Sequence, residues 1–447
     1  MTSPVFYRNL NNPPRRIVRG EGVYLYDDDG RRYLDAVGGA AVVAIGHGVP
    51  EILDAVAGQA GRIPYVYGAS FTHPWQEELS AALLSIAPPS MAAAYWVTGG
   101  SEATETALKM ARQYHLHRGR PSKFKVVARS HAFHGVTMAS LELSDRPVWK
   151  EPFAPMLRGV PRIVPPYCYR CPFGKSHPSC GTACAGDLER VILQEGPDSV
   201  AAFIAEPTSG TSITGLMPVD DYYRRIREIC DRYDVLFIAD EVLVGYGRTG
   251  SPFALSRWGV EADIITCGKT IGSGYAPLGA VLASERVVEA FRAGTGEFTH
   301  GFTYAGHPLS CFIGLKVFEY MQAHRLFERA AERGVYLHRR LQELATRHTT
   351  IGEIRGAGLL AGLELVADRG TRAPLPAELK TAERVVAAAR ERGVLLIVGN
   401  PNVNYGRGGD QIQITPPYVI TEAEIDRIVE VLDEALASVA TPEPASA

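Results

Sequence analysis

The sequence predicts an α/β fold: a largely parallel sheet covered by helices on both sides, followed by a smaller α+β domain. Two observations carry the first part. Short apolar runs alternate with amphipathic helical patterns through the middle of the chain, which is the order a parallel sheet with crossover helices requires. Those runs are continuously apolar rather than alternating, as in strands buried on both faces. The third observation is that this rhythm stops in the C-terminal third, and a chain of 447 residues is too long for one ordinary core.

In chain order the predicted strands of the sheet are Ala94–Val97, Phe124–Ala128, Val200–Ala205, Val235–Ala239, Asp263–Cys267 and Leu278–Leu282. Ala107, Met110, Ala111 and Tyr114 recur at helical spacing after the first strand; Tyr223, Ile226, Cys230 and Tyr233 do so before the fourth. The smaller domain is read from a strand at Gly358–Val366, a helix near Leu379–Arg392 and a short strand at Val394–Val398. Its last helix opens on a capping box, Thr421-x-x-Glu424, and carries Ile425, Ile428, Leu432 and Leu436 on one face. The expected organisation is 1–62 as an N-terminal segment of the smaller domain, 63–325 as the large domain, 326–440 as the C-terminal smaller domain and 441–447 as a disordered tail.

Hydrophobic residues make up 46% and charged residues 21%, with a formal net charge of −3. That balance gives no electrostatic attraction to nucleic acid or to an anionic membrane, and neither is expected as a partner. No apolar stretch is long enough to span a bilayer, and Met1–Arg8 lacks the apolar run of a signal peptide. Seven cysteines, an odd number in a long chain, do not read as a disulfide framework. The expected location is the cytoplasm.

Four places carry chemistry. Thr98-Gly99-Gly100-Ser101 joins a strand to a helix N-terminus, where exposed N–H groups and the helix dipole favour a phosphate; a plain serine cap is the alternative. Asp240 ends an apolar strand, where a buried carboxylate needs a cation or strong donors. It either caps a turn or meets an arginine such as Arg248, or it meets a protonated ring nitrogen of a cofactor. Lys269 lies among small residues in Cys267-Gly268-Lys269-Thr270-Ile271-Gly272, just past another strand, a place suited to Schiff-base chemistry. Gly268-Lys269-Thr270 is not a P-loop, because Asp263 stands where that motif needs glycine. Gly245-Tyr246-Gly247-Arg248-Thr249-Gly250 is not a dinucleotide fingerprint, because Ser251-Pro252 follow where its helix would continue. Last, Cys168, Cys171, Cys180 and Cys184 fall as C-x2-C-x8-C-x3-C, either packed free thiols or a structural zinc site.

Together the motifs resemble the class III (ω-type) aminotransferases of PLP fold type I over nearly the whole chain. They are, in order, Gly22-Val23-Tyr24-Leu25-Tyr26-Asp27, Tyr33-Leu34-Asp35, Gly46-His47-Gly48, Gly99-Gly100-Ser101-Glu102, Phe133-His134-Gly135, Ala205-Glu206-Pro207, Asp240-Glu241-Val242, the lysine loop, and Phe302-Thr303-Tyr304-Ala305-Gly306-His307-Pro308. The resemblance implies a large domain with a mostly parallel seven-stranded sheet that binds pyridoxal 5′-phosphate (PLP), beside the smaller domain. It implies that Lys269 holds PLP as a Schiff base and that Asp240 meets the ring nitrogen. Gly100 and Ser101 would take the phosphate, Phe133 and Val242 the two ring faces, and Glu206 the O3′ side, with His134 also at the cofactor. Thr303 would reach the phosphate bound in a neighbouring subunit, so a homodimer is the expected active unit.

Departures from the family pattern bear on substrate. Thr211 and Gln413 stand where many glutamate-using members carry a glutamate and an arginine, so both halves of the usual carboxylate switch are missing. The chain sits nearer the amine:pyruvate-like branch, although Leu243 replaces the glutamine often found there, and Arg407 is the matching candidate for a mobile carboxylate-binding arginine. The expected activity is transfer of an amino group from an amine or amino acid to a pyruvate-like keto acid, by a ping-pong mechanism with Lys269 as base. A racemase or aminomutase on the same fold is the alternative, then an enzyme of amino-sugar type, then a non-catalytic PLP- or zinc-binding interaction protein.

Overall fold

In the computed structural model, residues 4–59, 62–401, 403–404 and 408–439 are described. Arg407 and the tail 441–447 lie outside them.

The chain opens with an antiparallel meander of β1 (Ile17–Glu21), β2 (Tyr24–Asp27) and β3 (Arg32–Asp35). Asp27 locks its second turn by accepting from the Arg31 N–H at 2.8 Å and the Tyr33 hydroxyl at 2.7 Å. Seven strands then build the main sheet: β4 (Met91–Val97), β5 (Lys125–Arg129), β6 (Arg162–Ile163), β7 (Val200–Ala205), β8 (Leu236–Asp240), β9 (Ile264–Cys267) and β10 (Gly279–Ser284). Their order is β4-β10-β9-β8-β7-β5-β6. All pairings are parallel except those of β10, which runs against both neighbours. The sheet is the seven-stranded, mostly parallel one expected, and each predicted strand lies within three residues of its observed counterpart at either end.

Continuous apolarity conceals an alternation along the central residues of these strands. Ala202, Ile204, Leu236 and Ile238 point into one core, with Ala107, Met110, Ala111 and Tyr114 of α1 (Gly100–His117). Phe203, Ala205, Phe237 and Ala239 point into the other, with Tyr223, Ile226 and Cys230 of α2 (Tyr222–Arg232). A helix on each face leaves the strands no solvent side, which is why no polar residue marks the period of two.

After the main sheet come the long helices α3 (Pro308–Ala323) and α4 (Leu326–Arg347). The C-terminal part holds β11 (Ile351–Ala357), β12 (Leu360–Asp368), β13 (Ala373–Pro374), β14 (Val394–Leu395), β15 (Ile397–Val398) and β16 (Asp410–Ile414), with helices α5 (Thr381–Glu391) and α6 (Glu422–Ser438). The single strand read at Val394–Val398 is two. β14 pairs parallel with β3, and β15 pairs antiparallel with β16, so the chain changes sheets at the buried Leu396.

Because β10 reverses between β4 and β9, the carboxyl ends of β4, β5, β7, β8 and β9 all emerge along one edge. In open α/β sheets that edge is where ligands bind.

Candidate active site

The five carboxyl ends deliver the predicted residues to one cavity of about 570 Å³, a size that suits a cofactor with its substrate. Gly99, Gly100 and Ser101 come from the turn after β4, Phe133 and His134 from the loop after β5, and Glu206 from the end of β7. Asp240 and Val242 follow β8, and Lys269 follows β9.

Asp240 is 4% exposed, and its partner is histidine rather than Arg248. One carboxylate oxygen lies 2.7 Å from His134 Nδ1, and the other accepts from the Val242 N–H at 3.1 Å and the Thr266 hydroxyl at 3.2 Å. Burial alone would raise its pKa, but the hydrogen bond and charge of His134, with the Val242 N–H and the Lys269 charge, outweigh burial and hold the carboxyl below the usual range. Arg248 instead donates to the carbonyls of Leu359 at 3.0 Å and Pro416 at 2.5 Å, with its guanidinium 4.6 Å from the Tyr418 ring centroid.

Lys269 adopts φ +47°, a left-handed conformation that a non-glycine residue keeps only where its surroundings enforce it. The enforcement is visible. The Ser273 hydroxyl accepts from the Ala44 and Ile45 N–H groups at 2.9 and 3.1 Å, and the Tyr275 hydroxyl donates to the Gly46 carbonyl at 2.9 Å. A Cβ at Gly272 would lie 2.5 Å from the Ala276 carbonyl oxygen, so the turn itself requires glycine. Burial pulls the Lys269 ammonium below the usual lysine range; Asp240 and Glu206 oppose this, and Arg146 adds a smaller push downward.

Glu206 shows the opposite shift to Asp240. It accepts only from the Gly210 N–H at 3.2 Å and the Phe133 N–H at 3.4 Å, and burial raises its pKa against the pull of His134 and Arg129. Two neighbouring carboxyls shifted in opposite directions form an arrangement that gives neighbouring acids separate roles.

The cavity fits PLP on three further counts. The N-cap of α1 is Gly99, with no side chain to satisfy its N–H groups, while Glu102 is occupied with the Thr98 N–H and hydroxyl at 2.8 and 2.7 Å. That end is free for a phosphate. A Cβ at Gly100 would sit 2.6 Å from Val242 Cγ1, so glycine is what lets Val242 lie flat against one side of the slot. Phe133 stands in the wall, edge-on to Trp149 with centroids 6.0 Å apart. PLP, when bound, supplies a carbonyl that condenses with amines and a ring that withdraws electrons. Asp240 would then hold a proton on the ring nitrogen, and Lys269 Nζ would move the proton of the substrate carbon.

Other predicted residues lie elsewhere. Thr303 is exposed and does not line this cavity. Gln413 is fully buried in β16, donating to the Thr415 hydroxyl at 3.2 Å, and does not reach the cavity either. Cys168, Cys171, Cys180 and Cys184 surround a separate small cavity with His177. Among the described residues no group of three or more His, Cys, Asp and Glu side chains is arranged to hold a metal, and burial raises the thiol pKa of Cys168 and pushes that of Cys184 up to about 12.

The cavity also contains residues that no motif singled out: Ala40 and Val42, Arg146 and Trp149. Gly38 to Ala41 form a left-handed turn with positive φ at all four residues, a geometry that the pair Gly38-Gly39 signals.

A family model described as aminotransferase class-III matches residues 5–436. The putrescine–pyruvate aminotransferase of Pseudomonas aeruginosa is 37% identical over 444 residues, covering 97% of this chain and 94% of that protein. The diaminobutyrate–2-oxoglutarate transaminase of Halomonas elongata is 37% identical over 426 residues, covering 93% and 89% respectively. Among solved structures, a PLP-bound amine transaminase from an uncultivated Pseudomonas species has a TM-score of 0.90 at 36% identity, covering 98% of this chain and 97% of that chain.

Proposed function

The chain belongs to the class III aminotransferases, PLP-dependent enzymes of fold type I, and on that premise we propose that its acceptor is pyruvate or a similarly small keto acid. The observation that carries the reading is the absence of the glutamate-type switch. Thr211 brings no charge to the cavity wall, and Gln413 is sequestered in β16. A substrate with two carboxylates therefore lacks the paired recognition it would need. Of the two equally identical relatives above, the one named for putrescine and pyruvate agrees with this reading and the one named for 2-oxoglutarate does not, so the site carries it.

With the cofactor bound, Lys269 Nζ would move the proton of the amine-bearing carbon and PLP would supply the position that receives it in transamination; return of a proton to the opposite face of the same carbon would give racemisation instead. Its lowered pKa favours the neutral amine that this requires. Asp240, Glu206, His134, Phe133, Val242, Gly100 and Ser101 hold and orient the cofactor. Thr303 of the partner subunit completes the phosphate site, a reading supported by its exposure away from its own chain's cavity, and the working unit is a homodimer. Arg407 recruits the keto-acid carboxylate. The enzyme works in the cytoplasm, as its cysteine usage suggests.

The test is a half-reaction screen that follows the visible band of the bound cofactor while amino acids, ω-amino acids and simple amines are added singly. Loss of the band with one donor, reversed by pyruvate but not by 2-oxoglutarate, is expected. Lys269→Ala should abolish the change. Loss of optical rotation with an unchanged band would mean racemisation and overturn the proposal.

A further inference from the structure

Arg146 follows the short helix Met138–Leu143 and stands, with extended backbone, at the N-cap of the four-residue helix Pro147–Lys150. Its side chain lines the same cavity as Lys269, with its guanidinium carbon 4.7 Å from the centroid of Phe133. Nη2 donates to the Thr211 hydroxyl, while Nε is buried without a partner. Among the described residues Arg146 makes no ion pair.

A guanidinium stays protonated in a protein, and one in a cavity wall with no counter-ion is unfavourable. Burial lowers the Arg146 pKa and the charge of Glu206 resists. An anion entering the cavity would relieve that imbalance, and a planar fork with unused donors suits a carboxylate. The other arginine at the cavity, Arg8, is exposed and solvated, 5.5 Å from the Trp149 ring centroid, so it lacks the same need.

We propose that Arg146, held in place by Phe133 and Thr211, is the fixed residue that recognises the carboxylate of keto-acid acceptors and of carboxylate-bearing donors. The proposal deepens the transaminase reading above and rests on it for the identity of the substrates. It is separate from the recruiting role proposed for Arg407 and rests on the place of Arg146 in the cavity wall. The anion could have two sources, the substrate or the cofactor itself, and the experiment separates them.

The Arg146→Gln and Arg146→Lys holoenzymes are compared with wild type in three measurements. The first is kcat and KM with pyruvate against propanal, which has the same carbon chain and no carboxylate. The second is the affinity for propionate, an unreactive carboxylate, read from its perturbation of the cofactor's visible band. The third is the affinity for PLP. Arg146→Gln should lower kcat/KM for pyruvate about 100-fold, mainly through KM, and weaken propionate by a similar factor. Propanal should change only a few-fold, PLP affinity should hold, and Arg146→Lys should recover part of the loss. Equal losses with pyruvate and propanal, unchanged propionate binding, or weakened PLP would each overturn the proposal, the last by making the cofactor the anion. A wild type that accepts amino groups onto no keto acid would sink the transaminase reading, while propionate binding would still decide the role of Arg146.

Discussion

Asp240 and Glu206 leave the same edge of the sheet with opposite proton affinities, and the difference lies in what each one meets. Asp240 faces a histidine ring nitrogen at 2.7 Å, whereas Glu206 meets only two weaker backbone donors. Steric fit is equally particular at the opposite wall. An alanine Cβ at position 100 would fall 2.6 Å from Val242, and a β-branched valine has little rotamer freedom with which to yield. Gly100→Ala should therefore displace Val242 from its side of the slot and weaken PLP retention about tenfold, the effect of roughly 1–2 kcal/mol of overpacking. Equilibrium dialysis of the cofactor gives the number. Val242→Ala placed in the same chain should restore part of the loss; strictly additive effects of the two changes would show that this contact is not the cause.

At the scale of elements, what could be read depended on which physics left a mark in the sequence. The capping box of α6 is a local device, and it forms as written: the Thr421 hydroxyl accepts from the Glu424 N–H at 3.3 Å, and the Glu424 carboxylate accepts from the Thr421 N–H at 2.8 Å. Thr421→Ala should cost about 1 kcal/mol in chemical denaturation, with Thr421→Ser nearly neutral; an unchanged midpoint for the alanine variant would mean the helix end is held by packing alone. The buried strands β7 to β9 were equally legible, because a short all-apolar run between helical patterns fits a strand buried on both faces and little else. The split between β14 and β15 was not, since β14 leaves its neighbour to join β3, a strand hundreds of residues away in the chain. Lys269 and Asp240 stood out because a charged residue at the end of an apolar strand is costly unless used. Arg146 did not. An arginine before proline in a polar loop reads as a solvated charge, and only the packing of Phe133 and the placement of Thr211 turn it into the cavity.

Across the whole molecule, the loop that carries Thr211 is tied to the C-terminal strands by a buried polar network. Arg355 on β11 donates to the Thr214 carbonyl at 3.1 Å, to Gln411 Oε1 at 2.8 Å and to Glu364 at 2.5 Å. Glu364 on β12 is fully buried and also receives Arg170 at 2.6 Å and the Tyr167 hydroxyl, so the start of the cysteine-rich loop joins the same centre. Gln411 on β16 closes the circuit by accepting from the Thr214 N–H at 2.8 Å. Burial pushes the Glu364 carboxyl upward, but Arg355, with Tyr167 and Arg170, outweighs it, and the net pKa lies below the ordinary 4.5. A carboxyl whose folded pKa is depressed binds fewer protons folded than unfolded, so its contribution is complete above pH 4.5 and is lost as pH falls through the folded value. Glu353, the other acid touching Arg355, is shifted the opposite way by burial, so its contribution fades as pH rises through its own raised pKa. Wild type and Glu364→Gln both keep Glu353, so their comparison follows the first effect, with a smaller contribution from Glu353, whose pKa falls when the neighbouring Glu364 charge is removed. The substitution should cost about 3 kcal/mol at pH 7, the penalty of leaving two buried guanidinium groups short of a counter-charge. That gap should narrow steadily below pH 4.5 as the wild-type carboxyl protonates. Urea midpoints of the two proteins between pH 7 and pH 3.5 measure it. A gap that does not change with pH would place the stabilisation in the shape and hydrogen bonds of the network, and its charge would then have no part in fixing the loop that carries Thr211.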